Sequence, residues 1–266
     1  MSDGIVSLAT EIDVTQPSVA RVYDYWLGGK DNFAGDRMLA EEVIRRFPQI
    51  RAVVRENRAF LQRVVRYLVD DCGIRQFIDI GTGLPTQENV HQVAQRCNPA
   101  VRVVYVDNDP IVLTHAEALL ATNGHTTVIE GDVREPAIIL DRAMGSGLID
   151  LAEPAAVLMI ALLHFVTDED DPQGIVNTFA DAVAPGSYLA ISHAQWRADA
   201  ADAAQLYDRA SAPMVLRHAA AIERLFGRFD VVSPGVVNIP AWRPCRASTT
   251  GDQTALPAVG GVGRLG

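Results

Sequence analysis

Three acidic residues stand at the ends of three short apolar runs, and two glycines follow the first of them. The first run closes on Asp79-Ile-Gly-Thr-Gly83, the second on Val103-Val-Tyr-Val-Asp107 and the third on Glu130-Gly-Asp132-Val133. Glycine at positions 81 and 83 lets a backbone turn tightly and touch a ligand where a Cβ would intervene. A carboxylate at position 107 can accept both hydroxyls of a ribose, and charge-assisted hydrogen bonds of that kind are worth about 1.5–3 kcal/mol each once water is excluded. An acid at 132 can accept an exocyclic amino group while the backbone amide of Val133 meets a ring nitrogen. Taken in order, the three ends describe a pocket for an adenosine compound.

Each residue alone has a plainer reading. Gly-x-Gly occurs in many loops, and Asp107 or Asp132 could cap a helix before Pro110 or Pro136. A dinucleotide is the competing ligand, and its fingerprint is Gly-x-Gly-x-x-Gly with the pyrophosphate on a helix N-terminus. Here Thr86 stands at the third glycine and Pro85 removes an amide that a phosphate would use. Clustered carboxylates disfavour an anion and suit a cation, so a ligand without phosphates that carries a sulfonium fits better. That ligand is S-adenosylmethionine. An NAD-linked oxidoreductase is the first alternative, and a protein that binds S-adenosylmethionine without catalysis is the second.

The elements that must position these residues alternate. Gln76–Ile80, Arg102–Asp107, Thr127–Glu130, Ala155–Ile160 and Ser187–Ser192 are Val-, Ile- and Leu-rich runs of strand length. Residues 87–96, 111–120, 136–143 and 173–184 between them predict helices. Strands apolar on both faces, each followed by a helix, predict a doubly wound, mostly parallel α/β sheet of Rossmann-like type. Ahead of it, residues 1–16 predict a polar arm, and 17–27, 37–47 and 51–70 predict helices. The expected division is an arm and helical cap over 1–72 and a nucleotide-binding unit over 73–266. After position 192 the pattern predicts a helical region over 198–226 and a hairpin over 229–239 turning at Pro234-Gly235. Gly260-Gly-Val-Gly-Arg-Leu-Gly266 predicts a tail or a loosely docked segment.

Composition narrows the class. With 48% hydrophobic and 21% charged residues the chain can bury a full sheet. A formal charge of −10 argues against nucleic acid, which needs a field of opposite sign. Cys72, Cys97 and Cys245 are odd in number and far apart, which suits a reducing cytoplasm. No segment predicts a membrane span. Thr167-Asp-Glu-Asp-Asp171 reads as an acidic helix start before Pro172 rather than a metal cluster, so no metal is expected.

These residues resemble the class I S-adenosylmethionine-dependent methyltransferases, whose first motif is an acidic residue followed by Gly-x-Gly. Within that class, Pro17–Phe33, Ile74–Pro85 and Val104–Pro110 resemble a bacterial family termed domain of unknown function 574. The likeness covers nearly the whole chain and departs from the class at Leu84, where a third glycine is common. It implies a seven-stranded sheet with an antiparallel last strand, for which 229–239 is the candidate. It also implies methyl transfer, with Asp79, Gly81, Thr82 and Gly83 around the methionine part, Asp107 on the ribose and Asp132-Val133 at adenine. Asn108 and Ala161 complete the expected wall.

Methyl transfer displaces a leaving group from an already activated carbon, so alignment supplies most of the acceleration and a base is optional. His164, just beyond the fourth strand, is the candidate catalytic residue, ahead of His193 and His218. The segment Tyr23-Asp-Tyr-Trp-Leu-Gly-Gly-Lys-Asp-Asn-Phe33 predicts either a lid, with Tyr23 or Asn32 touching the cofactor and Gly28-Gly29 as hinge, or a helix end that packs its aromatics. The expected acceptor is a small molecule, and oligomeric state stays open.

Overall fold

The computed structural model describes residues 14–85, 88–120, 123–244 and 256–266. Thr86, the start of the helix predicted at 87, most of the predicted arm and Cys245 lie outside them. Three helices come first: α1 (Val19–Leu27), α2 (Ala34–Arg46) and α3 (Ile50–Arg66), the last running into a wider turn over Tyr67–Asp71. The alternating part follows as β1 (Gln76–Ile80), α4 (Val90–Cys97), β2 (Arg102–Asp107), α5 (Pro110–Leu120), β3 (Thr126–Glu130), α6 (Pro136–Gly145), β4 (Ala156–Ile160), α7 (Pro172–Ala182) and β5 (Tyr188–Ala194). Then come α8 (Ala198–Ala204), α9 (Ala219–Arg224), β6 (Phe229–Val231), β7 (Val237–Asn238) and β8 (Ala258–Leu265).

Among the described residues the strands form one sheet ordered β3-β2-β1-β4-β5-β8-β6, with the two-residue β7 also on β8. The five strands from β1 to β5 run parallel, and β8 is antiparallel to β5. Alternate residues face opposite sides, which divides the core. Phe77, Val103, Tyr105 and Leu158 pack with α3, α4 and Trp242 on one face. Ile78, Val104, Val157 and Met159 pack with α6 and α7 on the other. A third cluster lies off the sheet, where α1, α2 and the start of α3 meet α8 through Val22, Trp26, Val43, Phe47, Val54 and Tyr207.

Three expectations need correction. The glycine-rich end is β8, buried between β5 and β6, not a tail. Its glycines leave room for rings: a Cβ on Gly260 would fall 2.7 Å from Phe60 Cζ, and one on Gly263 would fall 2.7 Å from Phe229 Cβ. The supposed hairpin is an interrupted edge strand. Val231 pairs with Gly263 and Val237 with Gly260, so β6 and β7 follow β8 in succession and the chain bulges at 233–236. Alternation of residue type reveals strands but not their partners. The helical region over 198–226 breaks after a 3₁₀ turn at Gln205–Arg209 and resumes at α9. Pro213 explains the break, since it lacks an amide hydrogen and bars the residue before it from helical backbone.

Gly263→Ala tests the corrected strand. The added methyl meets a Cβ fixed to the backbone, which cannot swing aside, so the expected loss is about 1–3 kcal/mol. Urea unfolding should show a lower midpoint at unchanged slope. A midpoint equal to that of the parent protein would contradict a packed central position.

Candidate cofactor cavity

A doubly wound sheet opens a crevice where the strand order reverses, which here lies between β1 and β4. A cavity of about 420 Å³ occupies it, walled by the carboxyl ends of β1 to β4 and roofed by the N-terminal helices. Asp79, Gly81, Thr82 and Gly83 reach it from β1, and Asp107 and Asn108 from β2. Asp132 and Val133 reach it from β3, Ala161 from β4 and Tyr23 from α1. The structure thus brings together ten of the twelve residues selected from sequence. Asn32 points elsewhere: its amide donates to Asp24 Oδ2 (2.8 Å) and to the Gly29 carbonyl (3.1 Å). His164 lies on the wall of an adjoining smaller cavity.

The loop after β1 is held from β2. The amides of Gly81 and Thr82 donate to the Val106 carbonyl (2.8 and 3.2 Å). The Gly83 amide donates to Asp107 Oδ2 (2.8 Å). Gly81 has φ +69°, and a Cβ there would fall 2.6 Å from Leu162 Cδ1, so both backbone and space require glycine. Asp107 also accepts the Asp109 amide at Oδ1 (3.0 Å). Each of its oxygens keeps a lone pair for a ligand.

The two inner carboxyls are short of positive charge. Burial raises Asp79 to about 7, against the partial offset of the Arg58 guanidinium and the Thr82 hydroxyl, which donates to it at 3.2 Å. Burial raises Asp107 to about 6 despite its backbone donors. Asp132 differs, because Arg134 (Nε, 2.9 Å) and Asn108 (Nδ2, 3.1 Å) hold its carboxyl down at about 2. A cation placed between Asp79 and Asp107 would relieve the burial of both.

The roof is tied by polar contacts across long sequence separations. Ser18 Oγ donates to Asp109 Oδ2 (2.7 Å), and the Ser18 amide to Asp36 Oδ1 (2.9 Å). Arg21 Nε meets Asp36 Oδ2 at 2.8 Å with the side chains only 4% and 1% exposed, and Arg21 lies 3.7 Å from Asp109. Gly28, at φ +86°, ends α1, and a Cβ on Gly29 would collide with the Asp24 carboxyl. In this structure the glycine pair therefore ends a helix and admits Asp24.

A buried polar chain separates the two cavities. Tyr23 donates to the Val54 carbonyl (3.2 Å) and accepts from Asn57 (3.0 Å). Ser192 donates to Asn57 Oδ1 (2.6 Å) and accepts the Ala161 amide (2.9 Å). Ala161 sits at φ +55°, a strained backbone for alanine that these bonds sustain. Sequence reading missed Asn57, Ser192, Ser18 and Arg21. The signal for Asn57 was present, since it is an amide on the stripe of Val54, Leu61 and Val64.

The remaining histidines have structural partners. His193 receives Arg217 Nη1 at Nε2 (3.0 Å) and contacts the Ala194 carbonyl through Nδ1 (2.8 Å), and burial pushes it down to about 4. Arg217 is itself buried and tied to the Leu163 and Val166 carbonyls and to Asp168. His218 stacks on Trp196 with ring centroids 4.9 Å apart. In the acidic turn, Asp171 caps α7 by accepting the Gly174 amide (2.9 Å). Among the described residues no cluster of His, Cys, Asp or Glu could hold a metal, and no helix is long and apolar enough to cross a membrane.

Comparison with known proteins gives consistent results. The profile of a family described as S-adenosyl methyltransferase matches residues 6–266. A candidate methyltransferase from Thermobifida fusca is 40% identical, with a TM-score of 0.89 over 98% of this chain and 99% of that one. A family 574 protein from Streptomyces avermitilis is also 40% identical, with a TM-score of 0.90 over 96% of this chain and 99% of that one. The mitomycin 7-O-methyltransferase shares the fold at 18% identity and a TM-score of 0.52, over 81% of this chain and 56% of its own. Among curated proteins none matches.

Proposed function

Since this chain belongs to the S-adenosyl methyltransferase family, we propose that the 420 Å³ cavity holds its S-adenosylmethionine and that the methyl group passes to a small-molecule acceptor. The chain is a methyltransferase, and its cofactor is S-adenosylmethionine. When bound, that cofactor supplies a methyl group on a sulfonium sulfur, with a neutral thioether as the leaving group. The observation that carries the placement is the pair of buried carboxyls, Asp79 and Asp107, which face one cavity and are both raised by burial, Asp79 in spite of the Arg58 guanidinium. A molecule bearing ammonium and sulfonium charges matches that deficit, whereas a pyrophosphate would deepen it.

In this reading Asp79 takes the ammonium of the methionine part and Gly81 to Gly83 pass under it. Asp107 takes the ribose hydroxyls, and Asp132 with the Val133 amide takes adenine. Asn108 steadies the Asp132 carboxyl rather than touching the ligand. The roof over residues 16–24 excludes water and favours an acceptor small enough to enter beneath it, and the charge of −10 disfavours nucleic acid.

Calorimetry at two pH values tests the placement. The cofactor requires both carboxyls ionised, and Asp79 and Asp107 sit near 7 and 6 in the free protein. Protonation therefore competes with binding, and affinity falls as pH drops. Between pH 7.5 and 5.5 the Kd for S-adenosylmethionine should rise by on the order of tenfold to a hundredfold. S-adenosylhomocysteine should bind and NAD should not. Absence of heat with S-adenosylmethionine, or an affinity indifferent to pH, would overturn the placement.

A further inference from the structure

The smaller cavity, about 90 Å³, shares Val19, Tyr23, Asn57, Ala161 and Phe165 with the larger one, so the two meet at the polar chain described above. Its wall draws on the roof, α8, the segment that follows α8 and the end of β5. Trp26, Phe47, Val53, Tyr207 and Leu216 make it apolar, and among the described residues no Asp, Glu, Lys or Arg lines it. An ion entering such a space would lose its hydration without a partner charge, which excludes charged groups.

Its polar groups sort into two kinds. Asn57, Ser192 and Tyr23 are bonded to one another, and both nitrogens of His193 are engaged. His164 and Tyr207 are different. His164, 6% exposed, accepts the Ala194 amide at Nδ1 (3.4 Å), so its proton lies on Nε2, for which no partner exists among the described residues. The Tyr207 hydroxyl likewise has no partner among them, although the residue is only 2% exposed. Burial keeps the imidazole neutral and the phenol protonated. Phe165 lies between the two rings, 4.4 Å from His164 and 5.5 Å from Tyr207 by centroid. An apolar space thus carries two hydrogen-bond donors with nothing to donate to, beside the proposed cofactor cavity.

We propose that this cavity is the acceptor subsite, taking the uncharged apolar part of a small molecule whose oxygen is met by His164 Nε2 or by the Tyr207 hydroxyl. The proposal rests on the placement of the cofactor argued above. The volume is below the roughly 150 Å³ of an apolar cavity that binds benzene, so a ring of phenol size seats only in part, with the rest of it, and of the acceptor, in the opening towards the larger cavity. It also revises His164: with the proton on Nε2, the ring binds and orients an oxygen and does not withdraw a proton through that nitrogen.

Ligand-detected magnetic resonance on the full chain saturated with S-adenosylhomocysteine tests this, with phenol, toluene, benzoate and benzylamine as probes. Phenol should bind, and the two charged probes should bind at least about tenfold more weakly. Ala203→Leu, which fills the cavity, should abolish phenol binding while the Kd for S-adenosylhomocysteine stays unchanged. Should that variant lose S-adenosylhomocysteine through misfolding, Ala200→Leu on the same wall replaces it. One of His164→Phe and Tyr207→Phe should weaken phenol about five- to tenfold and leave toluene alone, as loss of one hydrogen bond requires, and no effect from either would overturn the polar contact. Failure of phenol to bind the loaded protein, equal binding of benzoate, or indifference to both filling variants would overturn the subsite. Failure of S-adenosylhomocysteine to bind the parent protein would instead overturn the cofactor placement.

Discussion

Asp107→Asn should weaken S-adenosylmethionine binding by about 2–3 kcal/mol, roughly thirty- to two-hundred-fold in Kd. Two losses combine. The charge that strengthens bonds to the ribose hydroxyls disappears, and the new amide nitrogen must face a backbone donor. Both Asp107 oxygens already accept such donors, from Gly83 (2.8 Å) and Asp109 (3.0 Å), so either orientation of the asparagine sets N–H against N–H. The glycine loop then loses its tie to β2. Calorimetry with S-adenosylhomocysteine reads the effect, and urea unfolding of the free protein should show that the fold survives. An affinity equal to that of the parent protein would remove Asp107 from the site.

Arg21→Met should cost about 3–5 kcal/mol, because it strands the Asp36 carboxyl in a dry interior. Asp36 is the junction of the roof: it accepts the amides of Ser18 (2.9 Å) and Phe33 (2.8 Å) as well as Arg21. The loss should concentrate on α1, so hydrogen exchange there should accelerate while exchange in β1, β4 and β5 stays slow. Cofactor affinity should fall with it, since α1 lines the cavity. Adding Asp36→Asn should restore part of the stability, because a neutral side chain leaves no charge buried while its oxygen still accepts a backbone amide. Unchanged protection of α1 in Arg21→Met would mean that the pair does not hold the roof.

How much of this was legible in the sequence follows from what kind of pattern each feature leaves. The strands that carry Asp79, Asp107 and Asp132 announce themselves by apolar runs ended by acids, and the doubly wound order follows from their alternation with helices. Features made by pairing distant residues leave no periodicity. Gly260 and Gly263 read as tail residues because the rings that need their missing side chains, Phe60 and Phe229, lie 200 and 34 positions away. Asn32 looked like a cofactor contact, yet its amide closes on Asp24 of the preceding helix. Arg217, which spans His193 and Asp168 in the interior, left no pattern in the sequence either. The second cavity was invisible for the same reason, since its wall draws on residues from Val19 to Ala258. His164 was singled out as a candidate catalytic residue from its place after the fourth strand, while its bonding could only come from coordinates.

The central claim is that the strand-end carboxyls surround S-adenosylmethionine beneath α1, and a crystal structure with S-adenosylhomocysteine tests it most directly. The ribose hydroxyls should lie within hydrogen-bond distance of Asp107, the adenine at Asp132 and the Val133 amide, and the amino acid part along Asp79 to Gly83. A ligand lodged outside the 420 Å³ cavity, or one within it whose ribose turns away from Asp107, would contradict the account.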